Sequence, residues 1–361
     1  MMTIYIVDLE AIPTRYTCEW KTHLPAMLEL HGAEVVVLSG PNNLPDDPTP
    51  GMFLNFSATN IYKATQVEKF SRLFSLKIVK DGDYFLFTDA WHPGVINLRY
   101  MADLLGIKIK IGGLWHAGSY DKHDGLGQRI GEAPWVRHAE KSFFHAFDHN
   151  YFATNFHIDM FCQELLNDGT QENPWAYEDK KDYLSTSKIV RTGWPMEYMP
   201  ATLAKYAGVK KENIIIYPHR ISAEKQPDIF LDLKASLPEY EFIVCQDKKL
   251  SKTEYHELLA KSKLMFSANL QETLGISPFE GALLNVMPMV PDRLSYAEMY
   301  TSEYKYPSKW TVNFDSYLQH KDKIIARIRS VMEQPCADTS KLSAHLLKEY
   351  FTASTLMTHL F

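Results

Sequence analysis

The chain predicts an α/β protein made of two Rossmann-like, doubly wound domains, and three observations carry that prediction. Short apolar runs end on polar or glycine-bearing loops and alternate with helical patterns of roughly ten to fifteen residues, as strands of a parallel sheet do. At 361 residues the chain exceeds one ordinary hydrophobic core. The alternation also starts afresh after a polar stretch near residues 195–212.

In order, Thr3–Val7 reads as a strand, residues 18–30 as an amphipathic helix and Glu34–Leu38 as a second strand. Residues 84–88 form a strong strand ending at Asp89, 95–105 a helix, and 107–111 a strand that stops near Gly112-Gly113. A helix over 139–148 and a strand over 151–154 follow, with a further helix through Leu166. Residues 167–183 are polar and read as an exposed loop. A run over 188–190 leads into Arg191-Thr192-Gly193-Trp194-Pro195, the end of the first domain. The second domain gives strands over 213–217, 241–245, 264–267 and 287–290, with helices over 228–237 and 253–262 between them. The tail over 341–360 is helical. The resulting division is 1–195, 196–340 and 341–361.

Composition narrows the class. Hydrophobic content of 45% and charged content of 23% suit a globular protein. No apolar run approaches the about 18 residues needed to cross a bilayer, and no leader pattern is visible, so no membrane partner is expected and cytoplasmic residence is. For a viral protein that means the host cytoplasm. Cys18, Cys162, Cys245 and Cys336 form no CxxC pair and read as reduced core thiols. A net charge of −6 argues against gripping duplex DNA by charge alone, yet a local basic groove remains compatible with it. Aromatic residues make up 13%, useful to bases and sugars and equally to a core.

The most specific chemistry lies in 264–282. An apolar run ends in Asn269-Leu270-Gln271-Glu272-Thr273-Leu274-Gly275, and a helical pattern containing Glu280 follows. On one continuous helix, glutamates eight apart would sit roughly 80° apart. They converge on one ligand more easily with Glu272 on the loop and Glu280 in the helix. Gly275 allows close backbone approach. The helix start offers free N–H groups near Thr273, Leu274 and Gly275 to a diphosphate or a sugar hydroxyl. Upstream, Arg220 and Lys225 follow the strand over 213–217 and suit a diphosphate leaving group; taken alone they could be solvated surface cations. Glu280 would accept both ribose hydroxyls, and Glu272 would touch the sugar.

In the first half, Asp89-Ala90-Trp91-His92-Pro93 follows a strand. Asp89 or His92 could orient an acceptor hydroxyl or take its proton, and Trp91 could stack on a sugar or base. Capping of the next helix is the plainer role for Asp89. His116, in Gly112-Gly113-Leu114-Trp115-His116, could meet the donor sugar or simply pack. His123, His138, His145 and His149 show no metal-ligand spacing, so no metal is expected. Gly125-Leu126-Gly127 and Gly131 match a dinucleotide fingerprint poorly. No Walker A or GxSxG sequence is present, which removes the main support for kinase and hydrolase readings.

These residues resemble the retaining glycosyltransferases of GT-B architecture with the Glu, seven residues, Glu motif. Arg220 and Lys225 match that group's diphosphate-binding pair, Glu272 and Glu280 its glutamates, and His116 is similar in position to its first-domain histidine. The resemblance implies two Rossmann-like domains facing a central cleft, a C-terminal helix returning to the first domain, and sugar transfer from a nucleoside-diphosphate donor, UDP-sugars favoured, with no cofactor. One departure stands out: the family's glycine-rich loop after the first strand is here Leu9-Glu10-Ala11-Ile12-Pro13-Thr14-Arg15-Tyr16. A narrower likeness, through Pro218-His219-Arg220, Glu224-Lys225, Pro227 and Pro291–Met299, is to glycosyltransferases that decorate queuosine in tRNA. It implies an acceptor hydroxyl on a modified nucleobase of DNA or tRNA, as in phage enzymes acting on hydroxymethylated bases. A polysaccharide, lipid or small-molecule acceptor, or a non-catalytic nucleotide-sugar-binding module, is the alternative.

Overall fold

The computed structural model describes residues 2–13, 15–45, 47–49, 54–166 and 181–361. Two compact units result, one formed by Met1–Pro195 with Ala353–Phe361, the other by Met196–Thr352.

The first unit carries strands β1 (Thr3–Val7), β2 (Glu34–Leu38), β3 (Tyr84–Phe87), β4 (Lys110–Trp115), β5 (His149–Phe152) and β6 (Ile189–Arg191). Helices α1 (Tyr16–Leu30), α2 (Phe56–Ser75), α3 (Gly94–Leu105), α4 (Gly125–Ile130), α5 (Pro134–Ala146) and α6 (Asn155–Phe161) connect them. All pairings are parallel, in the order β2-β1-β3-β4-β5-β6. The strand order reverses between β1 and β3, and such reversals open a crevice at the carboxyl ends of the two strands. Phe85, Phe87, Trp115, Phe144, Phe147 and Phe152 form an aromatic core that is fully buried. Each such ring contributes on the order of 2 kcal/mol by leaving water.

The strand expected to stop at Gly112-Gly113 runs through them. A Cβ on Gly112 would stand 2.3 Å from the Tyr84 hydroxyl, and one on Gly113 2.5 Å from the Phe147 ring. These glycines therefore admit neighbouring rings rather than break the strand, and His116 follows β4 directly. The long helix α2 has no counterpart in the sequence reading. The exposed loop expected over 167–183 falls mostly outside the described residues. Of the thiols expected in the core, Cys162 is buried, Cys18 and Cys245 are half-buried and Cys336 is exposed; none of the four forms a disulfide. No helix among the described residues is long and apolar enough to cross a membrane.

The second unit repeats the plan: β7 (Ile214–Tyr217), β8 (Glu241–Val244), β9 (Leu264–Phe266), β10 (Met287–Pro291) and β11 (Lys305–Tyr306), ordered β11-β10-β9-β7-β8 and all parallel. Its helices are α7 (Met199–Leu203), α8 (Pro227–Ser236), α9 (Lys252–Lys261), α10 (Ile276–Leu283), α11 (Ser295–Met299), α12 (Phe314–Met332) and α13 (Ser340–Glu349). The order reverses between β7 and β9. The helical tail is two helices, not one: α13 ends before Tyr350, and α14 (Ser354–Leu360) belongs to the first unit, where His359 meets the His149 ring at 6.1 Å.

Candidate functional site

Each sheet places candidate residues at its own reversal. In the first unit, Glu10 follows β1, Asp89 and Trp91 follow β3, and His116 follows β4. Together with Arg15, Tyr16, Phe56 and Trp135 they line a cavity of about 450 Å³, within the range of small-molecule sites.

Asp89 is not the cap of α3; Pro93 occupies that position. Its carboxylate pairs with Lys63 at 2.9 Å and accepts the Trp91 N–H at 3.1 Å. Burial pushes this carboxyl up, but Lys63, His116 and the hydrogen bonds outweigh burial and hold it below the usual range. It is therefore ionised and a weak base. The Trp91 indole donates to buried Glu140 at 2.8 Å and its ring meets Phe143 edge-on, so this wall of the cavity is tied to α5.

His116 has both ring nitrogens engaged. Nε2 lies 2.6 Å from the Thr88 carbonyl and must donate; Nδ1 then accepts the Tyr16 hydroxyl at 2.8 Å. Burial holds the imidazole below its usual range. In this arrangement His116 orients Tyr16. His92 turns inward: Nε2 meets Gln66 Oε1 at 3.0 Å, and Nδ1 accepts the Gly94 N–H at 3.0 Å. Burial depresses it to about 3, and neither nitrogen is left for an acceptor. Asp8 is likewise a hub of the fold, accepting from Ser39 at 2.6 Å, Tyr62 at 2.7 Å and Gln66 at 3.1 Å.

In the second unit the two cations follow β7 and the first glutamate follows β9. The Lys225 ammonium is buried, donates to the Gln271 carbonyl and its Oε1, and lies 3.5 Å from Glu272 Oε2. Glu272 Oε1 accepts the Gly275 N–H at 3.1 Å. This carboxylate is thus oriented from both sides, on the loop before α10. Gly275 has φ +87°, and a Cβ there would stand 2.8 Å from the Tyr296 ring, so glycine is required. Leu274 is buried under the loop, and Thr273 is half-buried beside Glu272. Arg220 pairs with Glu224 at 3.2 Å and remains partly exposed.

Glu280 lies within α10, as the split loop-and-helix arrangement requires. It is buried and accepts from Tyr255 at 3.2 Å, with His256 Nε2 also at 3.2 Å. Both partners sit on α9, whose start is fixed by the Ser251/Glu254 capping box. Two further residues, which the sequence reading quoted within motifs but gave no role, hold the loop. Arg293 ties down the loop after β9, donating to the carbonyls of Asn269 and Ala268 at 2.7 Å each and of Ser308 at 3.0 Å. His219 is buried against Asn269, and burial, reinforced by Lys225 and Arg220, holds it well below its usual range.

No protein-family model and no curated sequence matches the chain. Solved structures do. A sucrose-phosphate synthase from Thermosynechococcus elongatus aligns over 99% of this chain and 97% of its own, with TM-score 0.61 and 10% identity. HepE from Anabaena, in complex with UDP-glucose, aligns over 100% and 98%, with TM-score 0.54 and 11% identity. A UDP-forming α,α-trehalose-phosphate synthase from Burkholderia vietnamiensis aligns over 99% and 98%, with TM-score 0.55 and 11% identity. At these identities the likeness establishes the fold, that of GT-B glycosyltransferases, with two parallel-sheet α/β units.

Proposed function

We propose that the protein is a retaining glycosyltransferase that transfers a sugar from a nucleoside-diphosphate sugar, with UDP as the favoured nucleotide, to a hydroxyl acceptor. The observation that carries this reading is Lys225, Glu272 and Gly275 assembled at the reversal of the second sheet, with Glu280 about one turn into the following helix. The UDP-glucose complex of HepE and the UDP-forming synthase, which share the fold, support the choice of nucleotide.

In this reading the donor lies on the second unit. Lys225 and Arg220 meet the diphosphate charge, so no metal is needed, and N–H groups at Thr273 and Leu274 add to them. Glu280 accepts the ribose hydroxyls, and Glu272 holds the sugar. The bond between the anomeric carbon and the phosphate oxygen breaks, and its electron pair leaves with the nucleoside diphosphate. The acceptor oxygen attacks the same face of the anomeric carbon, and its proton passes to the departing phosphate oxygen. The acceptor lies on the first unit, where Asp89 orients its hydroxyl and His116, through Tyr16, positions the wall. A hydroxyl on a modified base of DNA or tRNA fits such a site.

Glu272→Ala tests the reading. An enzyme loses turnover by about two to three decades, the usual cost of one charged group aimed at the transition state. A nucleotide-sugar sensor on the same fold shows no turnover in the wild type and loses only affinity in the variant, which sinks the proposal.

A further inference from the structure

The loop after β1 departs from the glycine-rich one that the resemblance implies, and the cavity of the first unit is built from that departure. Leu9, Glu10, Ile12, Arg15 and Tyr16 all line it. Across from them stand Phe56, Trp91 and Trp135, so four aromatic rings share one cavity with the aliphatic Leu9, Ile12 and Leu126. A carbohydrate would need a polar partner for nearly every hydroxyl, since an unmatched buried polar group is costly. Here the polar groups are mostly committed to one another. Lys63 serves Asp89 and the Trp91 carbonyl, His116 serves Tyr16 and Thr88, and Asp124 caps its own helix at Leu126.

Glu10 differs. Among the described residues its hydrogen-bond donor is the Thr59 hydroxyl, which lies 3.1 and 2.9 Å from its two oxygens. A carboxylate has about four acceptor positions, and one hydroxyl proton fills one. Burial raises this carboxyl, with Thr59 and Lys63 opposing, so an incoming donor is favourable.

We propose that this cavity takes the acceptor, and that the acceptor is a flat, hydroxyl-bearing aromatic ring system whose ring or exocyclic N–H or O–H is read by Glu10. An oligosaccharide, with a hydroxyl on nearly every ring carbon, is the poorer match. The inference rests on the glycosyltransferase reading only for the word acceptor; the binding chemistry stands on the cavity. A free aromatic alcohol or nucleoside and a base turned out of DNA present the same chemistry.

The experiment is a titration of the full chain without donor, followed by intrinsic Trp fluorescence and calorimetry. The probes are 4-methylumbelliferone, 5-hydroxymethyl-2′-deoxycytidine, a DNA duplex containing 5-hydroxymethylcytosine, and maltotriose. At least one aromatic probe binds saturably and maltotriose does not. Glu10→Gln, which keeps the shape, weakens the bound probe about tenfold, the worth of roughly one charged hydrogen bond. Phe56→Ala weakens it as well, while a thermal midpoint confirms that each variant is folded. Binding of the duplex but neither small probe assigns the source to nucleic acid; binding of the small probes assigns it to free molecules. The proposal is overturned if maltotriose binds and the aromatic probes do not, if no probe binds, or if Glu10→Gln binds like the wild type. UDP titration reports separately on the donor reading: aromatic binding without UDP binding keeps this inference and removes that one.

Discussion

Replacing Lys225 by Met removes the buried ammonium and keeps most of its apolar stem. Three contacts are lost: the Gln271 carbonyl, Gln271 Oε1 at 3.2 Å and Glu272 Oε2 at 3.5 Å. Breaking a fully buried ion pair costs about 3–5 kcal/mol, because the partner charge is stranded. The Glu272 side chain retains 21% of its exposure, so water compensates part of that, and about 2 kcal/mol of stability is the expected loss. For a unit of this size that lowers the thermal midpoint by roughly 4–8 °C. The functional loss is larger. With only Arg220 left to meet the leaving diphosphate, turnover should fall about 100- to 1,000-fold. UDP affinity should fall by about one to two decades, the worth of a charged hydrogen bond. Coupled UDP-release kinetics, UDP calorimetry and thermal unfolding read these three quantities. Lys225→Arg, which retains the charge, should recover part of the UDP affinity. A Lys225→Met protein with a lowered midpoint but normal UDP affinity and turnover would refute the reasoning and make Lys225 a strut of the loop.

Other outcomes follow from the same geometry. Gly275→Ala forces a side chain into a left-handed backbone and against Tyr296; it should cost about 1–3 kcal/mol and weaken UDP binding, as calorimetry and denaturant titration will show. Burial depresses His92 and His157 to about 3. Below their ordinary value of 6.5 the unfolded chain gains protons that the folded one refuses, so stability is present above that value and lost as pH falls toward 3. At pH 5 each costs on the order of 2 kcal/mol. His92→Gln should therefore flatten the fall of the thermal midpoint between pH 7 and pH 5; an unchanged slope contradicts the assignment.

What the sequence made legible was local. Apolar runs marked the strands, since a strand covered on both faces is apolar throughout. The loop-and-helix split of Glu272 and Glu280 could be read because Gly275 and the onset of helical spacing lie between them. Residues joined only by the fold could not be read. Buried positions of α2 include Thr59 and Gln66, whose polarity hid its helical stripe; their partners Glu10 and Asp8 lie 49 and 58 residues away. Tyr255 and His256 reach Glu280 from 25 and 24 residues away, across a contact only the fold creates. The loop after β1 looked like a defect because glycine was missing; its side chains instead form one wall of a cavity. His92 carried the right chemistry after the right strand, yet it points into the core, and strand periodicity does not fix the direction of a residue beyond the strand's end.

The most direct test of the account is incubation of the full chain with UDP-glucose, UDP-galactose and UDP-N-acetylglucosamine, with UDP and free or transferred sugar followed by NMR. The account predicts UDP release from at least one donor, by slow hydrolysis without acceptor, and an α-configured product from an α-configured donor once an acceptor is supplied. Absence of both UDP binding and UDP release with every donor would contradict it; an inverted product would overturn retention alone.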